Sequence, residues 1–170
     1  EGGSVSTDNI TGGGLAARHL IDTGHQRLIC LEGFRHQTAN ERVRGFMAEV
    51  EKYRKNPDRG TASIIEATII RGINRNADGY AVTENIVANY LVPGVPTAVF
   101  ALNDFVAMGV IQGFLDKGIR VPEDVSVIGY DDIMFAGQFK LPLTTIHQAK
   151  NRMGKIAAHE LLDAINDRDR

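Results

Sequence analysis

The sequence predicts an α/β protein built on a parallel sheet with helices on both faces, the three-layer arrangement of flavodoxin-like domains. Four short apolar runs fit buried strands, and they alternate with segments whose apolar residues recur at helical spacing. Strands that are buried on both faces are expected where helical crossovers connect parallel neighbours. The composition agrees, because 43% of the 170 residues are hydrophobic, which is enough for a substantial core.

The individual elements are predicted from this pattern and from the glycine and capping residues at which helices begin or end. The first helix is predicted over 13–23, and Gly24 stands where a helix is expected to stop. Asp104 is a candidate N-cap for the helix over 105–117, which Gly118 ends. The predicted strands cover 27–32, 64–70, 98–102 and 125–129, and a shorter extended piece covers 143–147. Further helices are predicted over 38–54, 78–91 and 151–165. A loop is predicted at 56–60 and a frayed tail at 166–170.

Charge and cysteine content restrict the classes of function. The formal net charge is −2, so these residues alone carry no basic footprint for nucleic acid. The single cysteine, Cys30, lies in an apolar run typical of a buried strand and cannot form an intrachain disulfide, in keeping with a reducing compartment. No apolar stretch reaches the length of a membrane span, and no leader pattern opens the sequence. Because the chain does not begin with methionine, a removed leader or an upstream domain stays open.

Polar side chains follow all four predicted strands. In open parallel sheets, ligands bind outside the carboxyl ends of the strands. Such a set of hydroxyl, amide, guanidinium and carboxylate groups suits a neutral polyhydroxylated ligand, since charged groups can each address two adjacent hydroxyls. The residues are Arg35, His36, Thr38 and Arg42 after the first strand, Gly72, Asn74 and Arg75 after the second, Asn103 and Asp104 after the third, and Tyr130, Asp131 and Asp132 after the fourth.

Enzymatic and metal-binding patterns are absent from the sequence. The five histidines are scattered, and no zinc-binding or nucleophile-elbow motif occurs. The glycine run at 12–14 lacks the Lys-Ser/Thr end of a phosphate loop. The Asp131–Asp132 pair is more typical of a turn than of a metal site, and Asp132 is expected to be a solvated loop residue or a cap. We therefore predict no catalytic residue, no metal and no cofactor.

Five runs of the sequence resemble the lactose/purine repressor family, in order and with similar spacing over nearly the whole chain. They are HLIDTGHQRLICLEG (19–33), ANERVRGF (39–46), VPTAVFALNDFVAMGV (95–110), GIRVPEDVSVIGYDD (118–132) and LPLTTIHQ (141–148). The resemblance implies a periplasmic-binding-protein-like core with two subdomains around a cleft. Residues 8–147 would form the C-terminal, effector-binding subdomain, and 1–7 and 148–170 would cross to an N-terminal subdomain that the sequence mostly lacks. The DNA-binding headpiece would lie upstream.

The same resemblance implies site residues. Arg42 matches an arginine that grips ligand hydroxyls or a carboxylate, and Thr38 a hydroxyl residue of the cleft. Asn103 and Asp131 match residues that contact sugar-type effectors, and Gln148 matches a polar residue at the crossover. The sixth candidate, Asn74, stands where sugar-binding members often carry an aromatic residue, and His36 where purine-binding members place an arginine. Neither a hexose nor a purine is therefore the first expectation.

The resemblance also implies a function and its partners. The expected function is that of the effector-sensing domain of a bacterial repressor, in which a sugar-like effector controls operator binding through allostery. Such a protein would be cytoplasmic and homodimeric, would bind operator DNA through the missing headpiece and would not contact a membrane. Two alternatives remain: the sugar-binding protein of an ABC-type uptake system, which shares the fold, and an enzyme on a doubly wound sheet.

Overall fold

The computed structural model describes residues 3–34, 36–56 and 65–168 and confirms the predicted parallel α/β fold. Its elements alternate as the sequence pattern predicts, with small differences at their ends. The strands are β1 (Arg27–Glu32), β2 (Glu66–Arg71), β3 (Thr97–Ala101), β4 (Ser126–Asp131) and β5 (Thr144–His147), and the helices are α1 (Asn9–Asp22), α2 (Gln37–Arg54), α3 (Asn76–Asn89), α4 (Asp104–Asp116) and α5 (Lys150–Arg168).

The five strands form one parallel sheet in the order β2-β1-β3-β4-β5. This is the doubly wound order of flavodoxin-like domains, in which the connections reverse direction between β1 and β3. All five residues of β3 are buried, as its apolar sequence TAVFA predicts. The reversal opens a crevice at the carboxyl ends of β1 and β3, which is where a ligand site is expected in a sheet of this order.

Two hydrophobic layers cover the sheet. On one face, α1 and α2 pack over side chains such as Phe46, Phe100 and Tyr130. On the other face, α3 and α4 pack over a second layer that includes Ile29, Val99 and Phe114. Burial of such side chains contributes roughly 1.5–3 kcal/mol each and is the main source of stability. The two layers fix the strand ends, and with them the polar loops that follow.

Helix α1 begins earlier than predicted, because Asp8 caps it through a 2.9 Å hydrogen bond from the amide of Thr11. The glycine run at 12–14 therefore lies within the helix instead of before or at its start. A Cβ on Gly13 would lie 2.0 Å from the carbonyl oxygen of Arg42, and one on Gly45 would lie 1.9 Å from that of Ile10. Glycine at these two positions allows the backbones of α1 and α2 to approach closely.

The N-terminus of helix α4 differs from the prediction. Its N-cap is Asn103, whose side chain accepts a 2.8 Å hydrogen bond from the amide of Val106. Asp104 is the first residue of the helix and is fully buried, so the prediction that it caps the helix is wrong. A cap must leave the helix with extended backbone, and Asn103 does so with φ −154° and ψ 161°.

Helix α5 reaches Arg168, so the prediction of a frayed tail is wrong for 166–168, while 169 and 170 lie outside the described residues. The start of the predicted second strand at Ile64 and most of the predicted loop at 56–60 also lie outside them. Three leucine and isoleucine side chains of α5, at Leu161, Leu162 and Ile165, are about half exposed or more. Within the described part of the chain, no helix is both long and apolar enough to cross a membrane.

Candidate functional site

A cavity of about 350 Å³ lies at the carboxyl ends of β1, β2, β3 and β4. Its position is the crevice that the sheet order creates, where ligands of doubly wound domains bind. Its size lies within the range of small-molecule sites. The lining residues are Gly33, Phe34, His36, Thr38, Ala39, Arg42, Ile73, Asn74, Arg75, Leu102, Asn103 and Asp131.

The structure brings five of the predicted site residues together around this cavity, namely Thr38, Arg42, Asn74, Asn103 and Asp131. The sixth, Gln148, does not line it but donates a short hydrogen bond to Oδ1 of Asp131. Arg35 lies outside the described residues. The loops after four strands thus meet at one place, as the rule for parallel sheets predicts.

Arg42 is held in a fixed orientation. Its Nε donates to Oδ1 of Asn9 at 3.0 Å, and its Nη1 donates to the carbonyl of Leu102 at 2.5 Å. The guanidinium carbon lies 3.7 Å from the centre of the Tyr130 ring, a cation–π arrangement. The side chain is only 12% exposed. A rigid guanidinium at the cavity wall is suited to bind a ligand oxygen.

Asp131 faces Arg42 across the cavity edge. Its Oδ1 lies 3.3 Å from Nη1 of Arg42 and also accepts the bond from Gln148. Burial raises the pKa of the Asp131 carboxyl, although the nearby Arg42 guanidinium opposes this effect by favouring the charged form. An ionised carboxylate beside a fixed guanidinium presents an acceptor and a donor to the same ligand, which is the pattern that neighbouring hydroxyls require.

The other predicted residues take part in local hydrogen bonds as well as lining the cavity. Oγ1 of Thr38 lies 2.6 Å from Nδ1 of His36, and His36 caps α2. Nδ2 of Asn74 donates to the carbonyl of Gly72 at 3.1 Å. Asn103 uses Oδ1 for the cap of α4. These hydrogen bonds hold the Thr38, Asn74 and Asn103 side chains in place, so much of the polar lining of the cavity is preorganised.

Sequence reasoning missed Phe34, which lines the cavity and is 72% exposed. It follows Gly33 directly after β1, and an aromatic residue at the carboxyl end of a central strand is a signal that was available. An exposed aromatic ring at the mouth of a cavity can pack on the apolar face of a sugar ring. Phe34 therefore supplies an aromatic surface that the residue at position 74 does not.

Below the cavity, the buried carboxylate of Asp104 organises the loop that carries Asp131. Its Oδ2 accepts from the amide of Ile133 at 2.8 Å, and its Oδ1 accepts from the hydroxyl of Thr145 at 2.6 Å. Burial raises the pKa of Asp104, and these two hydrogen bonds act in the opposite direction. Asp104 is thus a structural support for the site and does not line the cavity.

Asp132, expected to be a solvated loop residue or a cap, has an exposed side chain that pairs with His147 at 2.7 Å. The exposure of this side chain agrees with the prediction of a solvated loop residue. Within the described part of the chain, no group of three or more histidine, cysteine or acidic side chains is arranged to hold a metal ion. The cavity itself is lined by hydrogen-bonding side chains such as those of Thr38, Asn74 and Asn103.

The parallel sheet and the position of the cavity define an α/β domain of the periplasmic-binding-protein type. The family described as "Periplasmic binding protein-like domain" matches residues 17–170, and the chain belongs to this family.

Individual relatives are transcriptional regulators. The chain is 41% identical over 161 residues to the HTH-type transcriptional repressor PurR of Vibrio atlanticus, covering 93% of this chain and 45% of that protein. A LacI family transcriptional regulator from Enterococcus faecium with bound ribose superposes with a TM-score of 0.77 and 31% identity, over 94% of this chain and 55% of the other. A LacI family regulator from Lactobacillus casei with bound sucrose gives 0.79 and 30%, over 94% and 56%.

These likenesses confirm the resemblance to the lactose/purine repressor family and identify the chain as an effector-binding domain of the LacI-family type. The sequence relative from Vibrio atlanticus is named a transcriptional repressor, and the two structural relatives are named transcriptional regulators. The chain spans about half the length of the relatives that it matches.

Proposed function

We propose that this chain is the effector-sensing part of a LacI-type bacterial repressor and that it binds a small, neutral, sugar-like molecule. The observation that carries the proposal is the fixed Arg42–Asp131 pair at the edge of a 350 Å³ cavity. A guanidinium and a carboxylate side by side can each form two charge-assisted hydrogen bonds to adjacent hydroxyls. The pair is electrically balanced, so it favours a neutral polyol over a strongly charged ligand.

The remaining cavity residues complete the proposed site. Asn103 and Asn74 supply amide groups and Thr38 supplies a hydroxyl, while Gln148 acts through Asp131. Phe34 offers an apolar face for the ligand ring. Two structural relatives have ribose and sucrose bound, and both are carbohydrates of the proposed chemical class.

The proposed domain organisation follows the family. Residues 8–147 are the C-terminal subdomain, and 1–7 and 148–170 are the segments that cross to an N-terminal subdomain. The exposed apolar side chains of α5 support this division, because a face with Leu161, Leu162 and Ile165 is suited to pack against a further layer of protein. Residues 3–6 also lie beside α5 and share a surface groove with it.

In this proposal the cavity is one wall of a cleft between two subdomains. An effector that binds both walls more tightly in one arrangement shifts the population toward that arrangement. In the complete repressor, that shift would change how the headpieces of a homodimer meet the operator half-sites. The proposed setting is the cytoplasm, where operator DNA is present, and the role is not enzymatic.

A thermal-shift screen of the full-length product of this gene tests the effector class. D-Ribose, sucrose, ribose 5-phosphate and adenosine would be compared at equal concentrations, since a ligand that binds only the folded state raises the melting temperature by mass action. The neutral sugars should give the larger shifts. A response to adenosine alone would contradict the proposal.

Variants of the proposed pair test the site itself. Arg42→Ala and Asp131→Ala should abolish the sugar response and the sugar-induced change in operator binding while leaving operator affinity nearly unchanged. Arg44→Ala is the matched control, because Arg44 is an exposed residue of the same helix that does not line the cavity. Effector-induced change in operator binding that persists in both site variants would refute the assignment.

The alternative of an uptake binding protein makes a different prediction. Such a protein would bind the same class of sugar and show no affinity for DNA in its full-length form. A gel-shift assay of the full-length protein against the DNA upstream of its own gene separates the two functions.

A further inference from the structure

Lys150, the first residue of α5, contacts the backbone next to the proposed ligand carboxylate. Its Nζ donates to the carbonyl of Asp131 at 2.6 Å and to the carbonyl of Asp132 at short distance. We propose that Lys150 is a positioning residue that holds the Asp131 carboxylate in its ligand-binding orientation and couples it to α5. The inference rests on the proposed function, since Asp131 matters only if it binds the effector.

The backbone that carries Asp131 needs such support. Asp131 has φ 111° and Asp132 has φ 51°, both in the left-handed region that non-glycine residues seldom adopt. A conformation of this kind persists where surrounding contacts over-determine it. Here it occurs where β4 ends and where the Asp131 carboxylate lies next to Arg42 at the cavity edge.

The backbone amides and the backbone carbonyls of this turn are bound by different parts of the chain. The amides of Asp132 and Ile133 donate to Thr145 and Asp104, which belong to the sheet and to α4. The two carbonyls before them accept from Lys150, which belongs to α5. The amides are thus hydrogen-bonded to residues of the proposed C-terminal subdomain, and the carbonyls are hydrogen-bonded to a residue of the proposed crossover segment.

A second contact joins the same carboxylate to the crossover segments. Gln148 donates to Oδ1 of Asp131, and its own Oε1 accepts from the hydroxyl of Thr7 at 3.1 Å. Thr7 and Gln148 lie in the two segments that we propose to cross between subdomains. A rotation of α5 would therefore act on Asp131 through its side chain and through its backbone, and Lys150 provides the backbone connection.

The charge of Lys150 contributes to the same effect. Its ammonium group favours the ionised forms of both Asp131 and Asp104. Hydrogen bonds from a charged donor are stronger than neutral ones. Lys150 thus combines a fixed position for the turn with a field that favours the carboxylate form.

Lys150→Met, which keeps an unbranched apolar side chain and removes the charge and the donors, tests the inference without any ligand. Lys150→Arg is the conservative variant. Lys155→Met is the matched control, because Lys155 is an exposed residue of the same helix whose side chain forms no hydrogen bond with any residue that the structure describes. We expect amide hydrogen exchange at Asp132 and Ile133 to become at least about tenfold faster in Lys150→Met. Exchange at Val99 in the core should stay unchanged, as should all sites in Lys155→Met.

A titration with D-ribose by calorimetry of the full-length protein provides the second measurement. The dissociation constant should rise about tenfold in Lys150→Met and less than about threefold in Lys150→Arg.

The outcomes separate the two proposals. Faster exchange at the turn without any ribose binding by the wild-type protein supports Lys150 as the support of the turn and refutes ribose as a ligand. Unchanged exchange at Asp132 and Ile133 overturns the inference, whatever the ligand. Equal acceleration at Val99 also overturns it, because Lys150 would then stabilise the whole fold and not this turn.

Discussion

Replacing Gly13 by alanine tests the close contact between α1 and α2 that places Arg42. An added Cβ would lie 2.0 Å from the carbonyl oxygen and 2.8 Å from the carbonyl carbon of Arg42, whereas ordinary Cβ contacts are not shorter than 3.0 Å. Both atoms belong to the backbone, so no side chain can rotate away, and the helices must separate by roughly 1 Å. Overpacking of this kind costs about 1–3 kcal/mol, and the rigid obstacle favours the upper part of that range.

Gly14→Ala is the matched control within the same helix. The nearest atom to its added Cβ is the carbonyl oxygen of Gly45 at 3.6 Å, an ordinary contact. Both substitutions gain up to about 1 kcal/mol of helix propensity, so the difference between the two variants isolates the steric cost. We expect Gly14→Ala to be as stable as the wild type or more stable, and Gly13→Ala to be about 1–3 kcal/mol less stable than Gly14→Ala.

Urea unfolding followed by circular dichroism measures this difference. The slope of the free energy of unfolding against urea concentration should be equal in the three proteins, which makes their midpoints comparable. Equal midpoints for the two variants would refute the reasoning, because the α1–α2 contact would then have room for a methyl group.

Three further predictions concern single side chains. Asn103→Ala should destabilise the protein by about 1 kcal/mol through loss of the α4 cap, whereas Asn103→Asp should retain the cap, and equal midpoints for both variants in urea would contradict this role. Burial raises the pKa of Asp104 in the folded protein, so the contribution of Asp104 to stability is fully present at low pH and is lost as the pH rises through the folded pKa. The stability of Asp104→Asn relative to the wild type should therefore increase between pH 4 and pH 7. A difference in urea midpoints that does not change with pH would contradict this prediction. Burial also raises the pKa of the Cys30 thiol, so 5,5′-dithiobis(2-nitrobenzoate) should label it only in denaturant, and rapid labelling of the native protein would be the contrary result.

The fold was predictable because its main signals are local and repeated. The buried strand β3 is predicted by its own apolar sequence, and the turn after α4 by Gly118, whose φ of 73° suits glycine. The start of α1 was not predictable in the same way. Three consecutive glycines weaken a helix in isolation, and only the contact with α2 explains their presence within one.

The position of the candidate site was predictable from the loops that follow the strands, but the structural roles of single side chains were less predictable. Asn103 and Asp104 are adjacent, and both are suitable caps, so sequence alone does not decide between them. The decision depends on Ile133 and Thr145, which are distant in the chain and surround the carboxylate of Asp104 with donors. Long-range hydrogen bonds of this kind leave no signal in the local pattern.

Arg42 shows how packing on one face of the sheet determines chemistry at its edge. Its backbone carbonyl touches α1 at Gly13, its Nε binds Asn9 of the same helix, and its guanidinium lies over the ring of Tyr130 in β4. The guanidinium is thereby fixed relative to both a helix and a strand before any ligand binds, and a preorganised donor loses little entropy on binding. The glycines that bring α1 against α2 therefore support the proposed binding site, although they do not line the cavity. Gly13→Ala should consequently weaken ribose binding as well as the fold, whereas Gly14→Ala should leave both intact.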